Sequence, residues 1–212
     1  MGNAGSVIAS PVIASHVQGV AAPPLIEKTV GALLDATAGR HPERPALIVR
    51  HQAIRWTFGE LAERVDRLAR GLVAQGLRPG DRVGIWAPNC AEWVLTQFAT
   101  AKAGLILVNI NPAYRTAELE YALNKVGCAA LILAPAHKSS DYVAMLGEIA
   151  PELATAAAGA LAAARVPTLR LVATLGDAPH PGCMPFAALA AGAEAALPAG
   201  LDPDEPINIQ FT

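Results

Sequence analysis

The segment 109–115, with the sequence Asn-Ile-Asn-Pro-Ala-Tyr-Arg, holds the residues best placed to do chemistry. It follows an apolar run and precedes a helical pattern that begins at Thr116. In open α/β sheets, ligands bind in the loops that follow a strand. In such a loop, Tyr114 could place an aromatic ring and Arg115 a guanidinium over a ligand. The alternative is a loop that only packs on the surface, and the residue types alone leave both open.

Several familiar catalytic motifs do not occur in the sequence. Neither G-x-x-x-x-G-K-[ST] nor G-x-G-x-x-G, the glycine loops that bind phosphates, is found, and the nucleophile motif G-x-S-x-G is also missing. His137 and Asp141 form the pattern H-x-x-x-D, but a helix that begins on the surface explains this pair better than catalysis. We therefore predict no catalytic residue within the chain.

The cysteines and histidines predict no metal site. C-x-x-C spacing does not occur, and the five histidines do not cluster with carboxylates at the spacing of metal ligands. Cysteines that serve as small hydrophobic residues are typical of a reducing compartment, so we expect a cytoplasmic location. The three cysteines are Cys90, Cys128 and Cys183.

Composition limits the other classes of function. The 212 residues are 53% hydrophobic and 16% charged, which suits one sizeable domain. A net charge of -2 gives no basis for binding nucleic acid or an anionic membrane surface. No uncharged apolar run reaches the roughly 18 residues of a membrane span, so no transmembrane segment is predicted. Residues 1–24 are uncharged and end in two prolines, which predicts a poorly ordered leader before a domain at 25–212.

Alternating strand and helix patterns predict the fold class, which is α/β with a largely parallel sheet and crossover helices. Thr57 and Glu60 have the spacing of a capping box and predict the start of a long amphipathic helix. The run Leu105–Ile110 is expected to be the central strand. Further strands are predicted at Ala46–Val49, Arg55–Thr57, Val83–Ala87, Ala129–Leu133, Leu169–Leu175 and Ile207–Thr212.

Three further helix features can be predicted. Thr116 is expected to cap one helix and Ser139-Ser140 another, and Phe186–Ala196 is expected to form a short helix. The final strand pattern has no crossover helix after it, which we expect to leave the sheet unfinished.

Four sequence blocks resemble the AMP-forming acyl-CoA synthetases of the adenylate-forming (AMP-binding) superfamily, and among them the medium-chain fatty acyl-CoA synthetases. They occur in the family's order, and the resemblance as a whole covers residues 25–212. The blocks are Arg55–Leu61, Pro88–Trp93, Ala103–Pro112 with Glu118-Leu119, and Asp204–Thr212.

This resemblance implies an enzyme that converts a fatty acid, ATP and CoA into acyl-CoA, AMP and pyrophosphate, with Mg²⁺. It places Pro112, Ala113 and Tyr114 in a loop near the CoA channel and Thr212 at the start of the ATP phosphate loop. The family's remaining active-site residues would follow Thr212, so the chain resembles an amino-terminal fragment of the large domain. We expect it to be inactive alone and to bind no cofactor tightly.

Two other functions stay open. The chain could be a non-catalytic α/β interaction module whose unfinished sheet is completed by a partner chain. It could also be a generic nucleotide-binding α/β domain, although the missing glycine loops weigh against this.

Overall fold

The computed structural model describes residues 25–191 and 194–211. The predicted leader at 1–24 and the candidate Thr212 lie outside this part. The main strands are β1 (Pro45–Val49), β2 (Ile54–Thr57), β3 (Arg82–Trp86), β4 (Ile106–Asn109), β5 (Cys128–Leu133), β8 (Leu171–Thr174) and β10 (Asn208–Gln210). Three two-residue strands are β6 (Ala136–His137), β7 (Ser140–Asp141) and β9 (Met184–Pro185). The helices are α1 (Val30–Arg40), α2 (Phe58–Ala74), α3 (Ala91–Lys102), α4 (Thr116–Val126), α5 (Tyr142–Ile149) and α6 (Phe186–Leu189).

A six-stranded parallel sheet in the order β10-β4-β3-β5-β8-β9 forms the centre of the molecule. Every residue of β5 is buried, as expected for an apolar strand covered on both faces. The largely parallel α/β sheet predicted from the sequence is therefore confirmed.

Crossover handedness places the helices on two faces of this sheet. The chain moves in one direction from β3 to β4 and in the opposite direction from β4 to β5. Because such crossovers are right-handed, α3 and α4 lie on opposite faces. Helices α1, α2 and α3 pack together on one face, and α4 packs with α5 on the other.

The amphipathic helix α2 begins as predicted. The Thr57 side chain accepts a hydrogen bond from the Glu60 amide, and the Glu60 carboxylate accepts one from the Thr57 amide. Its apolar stripe faces the core, where Val65 and Leu72 are fully buried. The predicted hairpin also forms, since β1 and β2 pair antiparallel.

Four predictions were wrong in detail. The strand β4 is second from the β10 end of the sheet, and β3 and β5 are the middle strands. Helix α5 is capped by Asp141, whose carboxylate accepts from the Ala144 amide at 2.9 Å, because the two serines before it belong to the turn and strand of the β6–β7 hairpin. Thr116 is the first residue of α4 and donates to Glu148 instead of capping.

The fourth difference is the length of the predicted Phe186–Ala196 helix, since α6 ends at Leu189. Tertiary contacts explain the early end. The Arg70 guanidinium of α2 donates to the Ala195 carbonyl at 2.9 Å, which holds this part of the chain against α2 in a non-helical conformation.

Candidate functional site

The carboxyl ends of the parallel strands bring two candidate segments together. Gln210 pairs with Asn109, so β10 and β4 end at the same level of the sheet. The loop 110–115 leaves β4 at this edge, and Phe211 leaves β10 beside it. Since ligands of open α/β sheets bind at this edge, we take it as the candidate site.

The loop after β4 is fixed by its own hydrogen bonds. Asn111 accepts from the Ala113 amide through its side chain, at 2.9 Å, and from the Tyr114 amide through its carbonyl, at 3.0 Å. The ring of Tyr114 is half-buried and packs against the hydrophobic core. The Arg115 guanidinium donates to Ser140 Oγ at 2.7 Å. The loop is therefore a formed turn, with Arg115 tied to the β6–β7 hairpin.

An aromatic pair lies beneath this loop. Trp86 ends β3, Tyr142 begins α5, and their rings stack with centroids 3.7 Å apart and planes 11° from parallel. Both side chains are fully buried. Trp86 Nε1 donates to the Asn111 carbonyl at 3.2 Å, and the Tyr142 hydroxyl donates to the Pro112 carbonyl at 2.6 Å.

This pair occupies the region where doubly wound sheets commonly bind ligands. The chain reverses direction across the sheet at β3 and β5, and their carboxyl ends flank the usual crevice. Because stacked rings lie at this edge, the candidate site is shifted toward β4 and β10. Sequence reasoning missed the pair; the only available signal was a tryptophan at the end of an otherwise aliphatic strand.

A chain of side-chain amides links β4, β10 and α3 near the same edge. Asn109 Nδ2 donates to Asn208 Oδ1 at 3.3 Å, and Asn208 Nδ2 donates to Gln97 Oε1 at 3.4 Å. Within the described residues, the buried Oδ1 of Asn109 has no hydrogen-bond partner. The contact between Asn109 and Asn208 joins strands whose residues lie 99 positions apart in sequence.

A cavity lies at the opposite ends of the strands, where β3, β4 and β10 begin. It has a volume of about 430 Å³ and is bordered by residues that precede β3, β4 and β10, among them Gly80, Gly104 and Ile207. Because the carboxyl edge is where open sheets bind ligands, we assign this cavity no part in the candidate site.

The three cysteine thiols are poor nucleophiles in this structure. Burial raises the pKa of the thiols of Cys90 and Cys183 to about 11 and that of Cys128 to about 12. The reactive thiolate form is therefore scarce at neutral pH. In residues 25–191 and 194–211, no group of three His, Cys, Asp or Glu side chains is placed to hold a metal ion. No helix in this part of the chain is long and apolar enough to span a membrane.

The chain belongs to the family of AMP-binding enzymes, whose family model matches residues 34–212. This confirms the resemblance drawn from the four sequence blocks. A rat protein named medium-chain acyl-CoA ligase ACSF2, mitochondrial, is 47% identical over 206 residues. The macaque protein of the same name is 48% identical over 206 residues. Each alignment covers 93% of this chain and 33% of the relative. This chain thus spans about a third of the length of these curated relatives.

Solved structures agree with the fold. The crystal structure of the N-terminal domain of FACL13 from Mycobacterium tuberculosis matches with a TM-score of 0.69 and 23% sequence identity. The match covers 87% of this chain and 42% of that one. The described residues therefore share the fold of that N-terminal domain.

Proposed function

We propose that these residues are the amino-terminal part of a fatty acyl-CoA ligase, which converts a fatty acid, ATP and CoA into acyl-CoA, AMP and pyrophosphate. The observation that carries the proposal is the 47% identity with the rat ligase across 93% of this chain. The name of that relative favours a medium-chain acid as the substrate. A cytoplasmic location stays a prediction. The names of the rat and macaque relatives contain the word mitochondrial.

Within this enzyme, we propose that Pro112, Ala113 and Tyr114 border the CoA channel. Their loop lies at the carboxyl edge of the sheet, and its backbone is hydrogen-bonded in one conformation. Thr212 is proposed to begin the loop that binds the ATP phosphates. The support is the position of Phe211, which follows β10 at the same edge.

ATP and Mg²⁺ require groups that the described residues do not supply. The sequence has no glycine-rich phosphate-binding motif, and the described carboxylates form no metal-binding cluster. We therefore derive no catalytic step from these residues. ATP, Mg²⁺ and CoA are proposed as ligands of the whole enzyme, to which this part contributes the loop after β4 and the strand β10.

A second candidate function is a non-catalytic module completed by a partner chain. The observation that favours it is the edge strand β10, which within the described residues pairs only with β4. An unpaired strand edge can accept a strand from another polypeptide. In gel filtration of the 212-residue chain, a discrete complex would favour this module, whereas aggregation would favour a fragment of the ligase.

A chimera tests the ligase proposal. Residues 1–212 would replace the matching segment of the rat relative, and acyl-adenylate formation would be followed by fatty-acid-dependent ATP–pyrophosphate exchange. We expect the chimera to support exchange, because the two segments are 47% identical over 206 residues and are proposed to contribute the same loops. A chimera that folds by circular dichroism but shows no exchange, beside an active rat parent, would contradict the proposal.

The role of the loop is tested in the same chimera by Tyr114→Ala. We expect a higher KM for CoA while adenylate formation continues, since a lost substrate contact raises KM. Ile48→Ala is the control truncation, because Ile48 is 52% exposed on β1 outside the loop. An unchanged KM for CoA in Tyr114→Ala would remove this residue from the CoA channel.

A further inference from the structure

The stacked pair of Trp86 and Tyr142 does more than fill space in the core. Each ring carries one polar hydrogen, and the two hydrogens point at consecutive carbonyls of one loop, those of Asn111 and Pro112. Leucine or phenylalanine would satisfy the packing requirement of a buried apolar site without adding a donor that needs a partner. Both donors are therefore placed to form hydrogen bonds with the loop and do not serve packing alone.

We propose that Trp86 and Tyr142 are positioning residues that hold the loop 111–114 in the hydrogen-bonded conformation of this structure. This inference rests on the proposed function of that loop at the CoA channel. Trp86 belongs to β3, in the middle of the sheet, and Tyr142 belongs to α5, in the helical layer. Their hydrogen bonds therefore connect the loop after β4 to the buried core.

The hydrogen bonds within the loop depend on this support. The Asn111 carbonyl accepts from both Trp86 Nε1 and the Tyr114 amide, so loss of the indole donor changes the acceptor that also holds Tyr114. The Pro112 carbonyl accepts from Tyr142 at 2.6 Å. The indole and hydroxyl donors belong to buried side chains and require partners, and these two loop carbonyls provide them.

The Tyr142 donor is available over the whole physiological pH range. Burial raises the pKa of its hydroxyl above the ordinary value, so the group keeps its proton. The stacking on Trp86 involves the ring and not the hydroxyl, so we expect Tyr142→Phe to remove one hydrogen bond with little change of packing.

Hydrogen exchange on the 212-residue chain tests the inference without any enzyme activity. Tyr142→Phe is expected to raise the exchange of the Ala113 and Tyr114 amides about fivefold, the size of one net hydrogen bond. Amides of β3 and β5 are expected to exchange at the rate of the unchanged chain. Tyr121→Phe removes the same hydroxyl from an exposed ring and is expected to leave the loop unaffected.

Two results would overturn the proposal. Unchanged exchange in the loop would mean that the Tyr142 hydroxyl does not hold it. An equal increase across loop and sheet would mean that the pair supports only the stability of the whole fold. Since neither measurement uses ATP, CoA or a fatty acid, a failure here is distinct from a failure of the ligase proposal.

Trp86→Phe gives a second measurement from the other side of the pair. It removes the indole donor, and trypsin cleavage after the exposed Arg115 reports loop opening. We expect faster cleavage at Arg115 than in the unchanged chain, with the rate corrected for global unfolding measured in urea. Cleavage at an unchanged corrected rate would exclude Trp86 from the positioning role.

Discussion

Arg115 exemplifies how the role of a residue depends on its partners. From its type and position it could have faced a ligand, but its guanidinium donates to Ser140 and its amide donates to the Glu118 carboxylate. Both contacts tie the loop to its surroundings. Tyr114, its neighbour, contributes a half-buried ring to the core. Tyr114, the residue proposed to contact CoA, therefore has a ring that already packs against the core.

The cysteines provide a prediction at the scale of single residues. Iodoacetamide should modify Cys90 about 100-fold more slowly than free cysteine at pH 8, because a thiol with a pKa raised to about 11 holds little thiolate. The rate should rise with pH up to that pKa, since the reactive form is the deprotonated one. Mass spectrometry of the labelled chain measures it, with urea-unfolded protein as the control. Labelling of the folded chain at the rate of free cysteine would contradict the raised pKa.

At the scale of elements, the short helix α6 depends on a close approach to α2. A Cβ atom built on Gly71 would lie 1.5 Å from the carbonyl oxygen of Leu189, which is backbone and cannot rotate away. The absence of a side chain at Gly71 is therefore what allows α6 to dock. A glycine inside a helix ordinarily weakens it, so this one is retained for packing.

Gly71→Ala is expected to lower the free energy of unfolding by about 1–3 kcal/mol, the usual cost of overpacking. Gly147→Ala in α5 is the matched control, because a Cβ there meets nothing within 4 Å. That control should gain about 0.5–1 kcal/mol from helix propensity. Urea unfolding followed by circular dichroism measures both. Equal effects of the two substitutions would show that the contact with Leu189 does not matter.

Lys102 joins the three helices of one face. Its side chain, only 8% exposed, extends from α3 to Asp35 of α1 at 2.6 Å and also to Asp66 of α2. Lys102→Met keeps the apolar stem but leaves two carboxylates without their shared cation. Because these carboxylates are 50% and 41% exposed, water offsets part of the loss.

We therefore expect Lys102→Met to lower the free energy of unfolding by about 1–2 kcal/mol. Lys125→Met, at an exposed position of α4, serves as the control and should change it by less than about 0.5 kcal/mol. Urea titrations at low and high salt measure both. A loss for Lys102→Met no larger than the control would mean that the three-helix contact is held by apolar packing alone.

At the scale of the whole molecule, the two ends of the parallel strands carry different features. The carboxyl ends carry the loop after β4 and the exit of β10, and the cavity bordered by Gly80, Gly104 and Ile207 lies at the other ends. The 212 residues include no glycine-rich loop for phosphates. The chain alone is therefore expected to show no fatty-acid-dependent ATP–pyrophosphate exchange, because adenylation needs groups that stabilise phosphate charge. Exchange above the blank by the purified 212-residue polypeptide would contradict this expectation.

The amino-acid sequence by itself determined the elements and the family. Apolar periodicity, the Thr57–Glu60 spacing and glycine or proline at segment ends are local properties, so the main strands and helices could be predicted within a few residues. The four blocks that resemble acyl-CoA synthetases are also local patterns.

Only the tertiary structure decided which distant segments meet. It placed β10 beside β4, selected Asp141 as a helix cap, and stacked Trp86 on Tyr142 beneath the loop that carries Tyr114. Neither the order of strands nor the partner of a buried donor has a local signal, because both follow from how the whole chain covers its apolar surface and satisfies its buried polar groups.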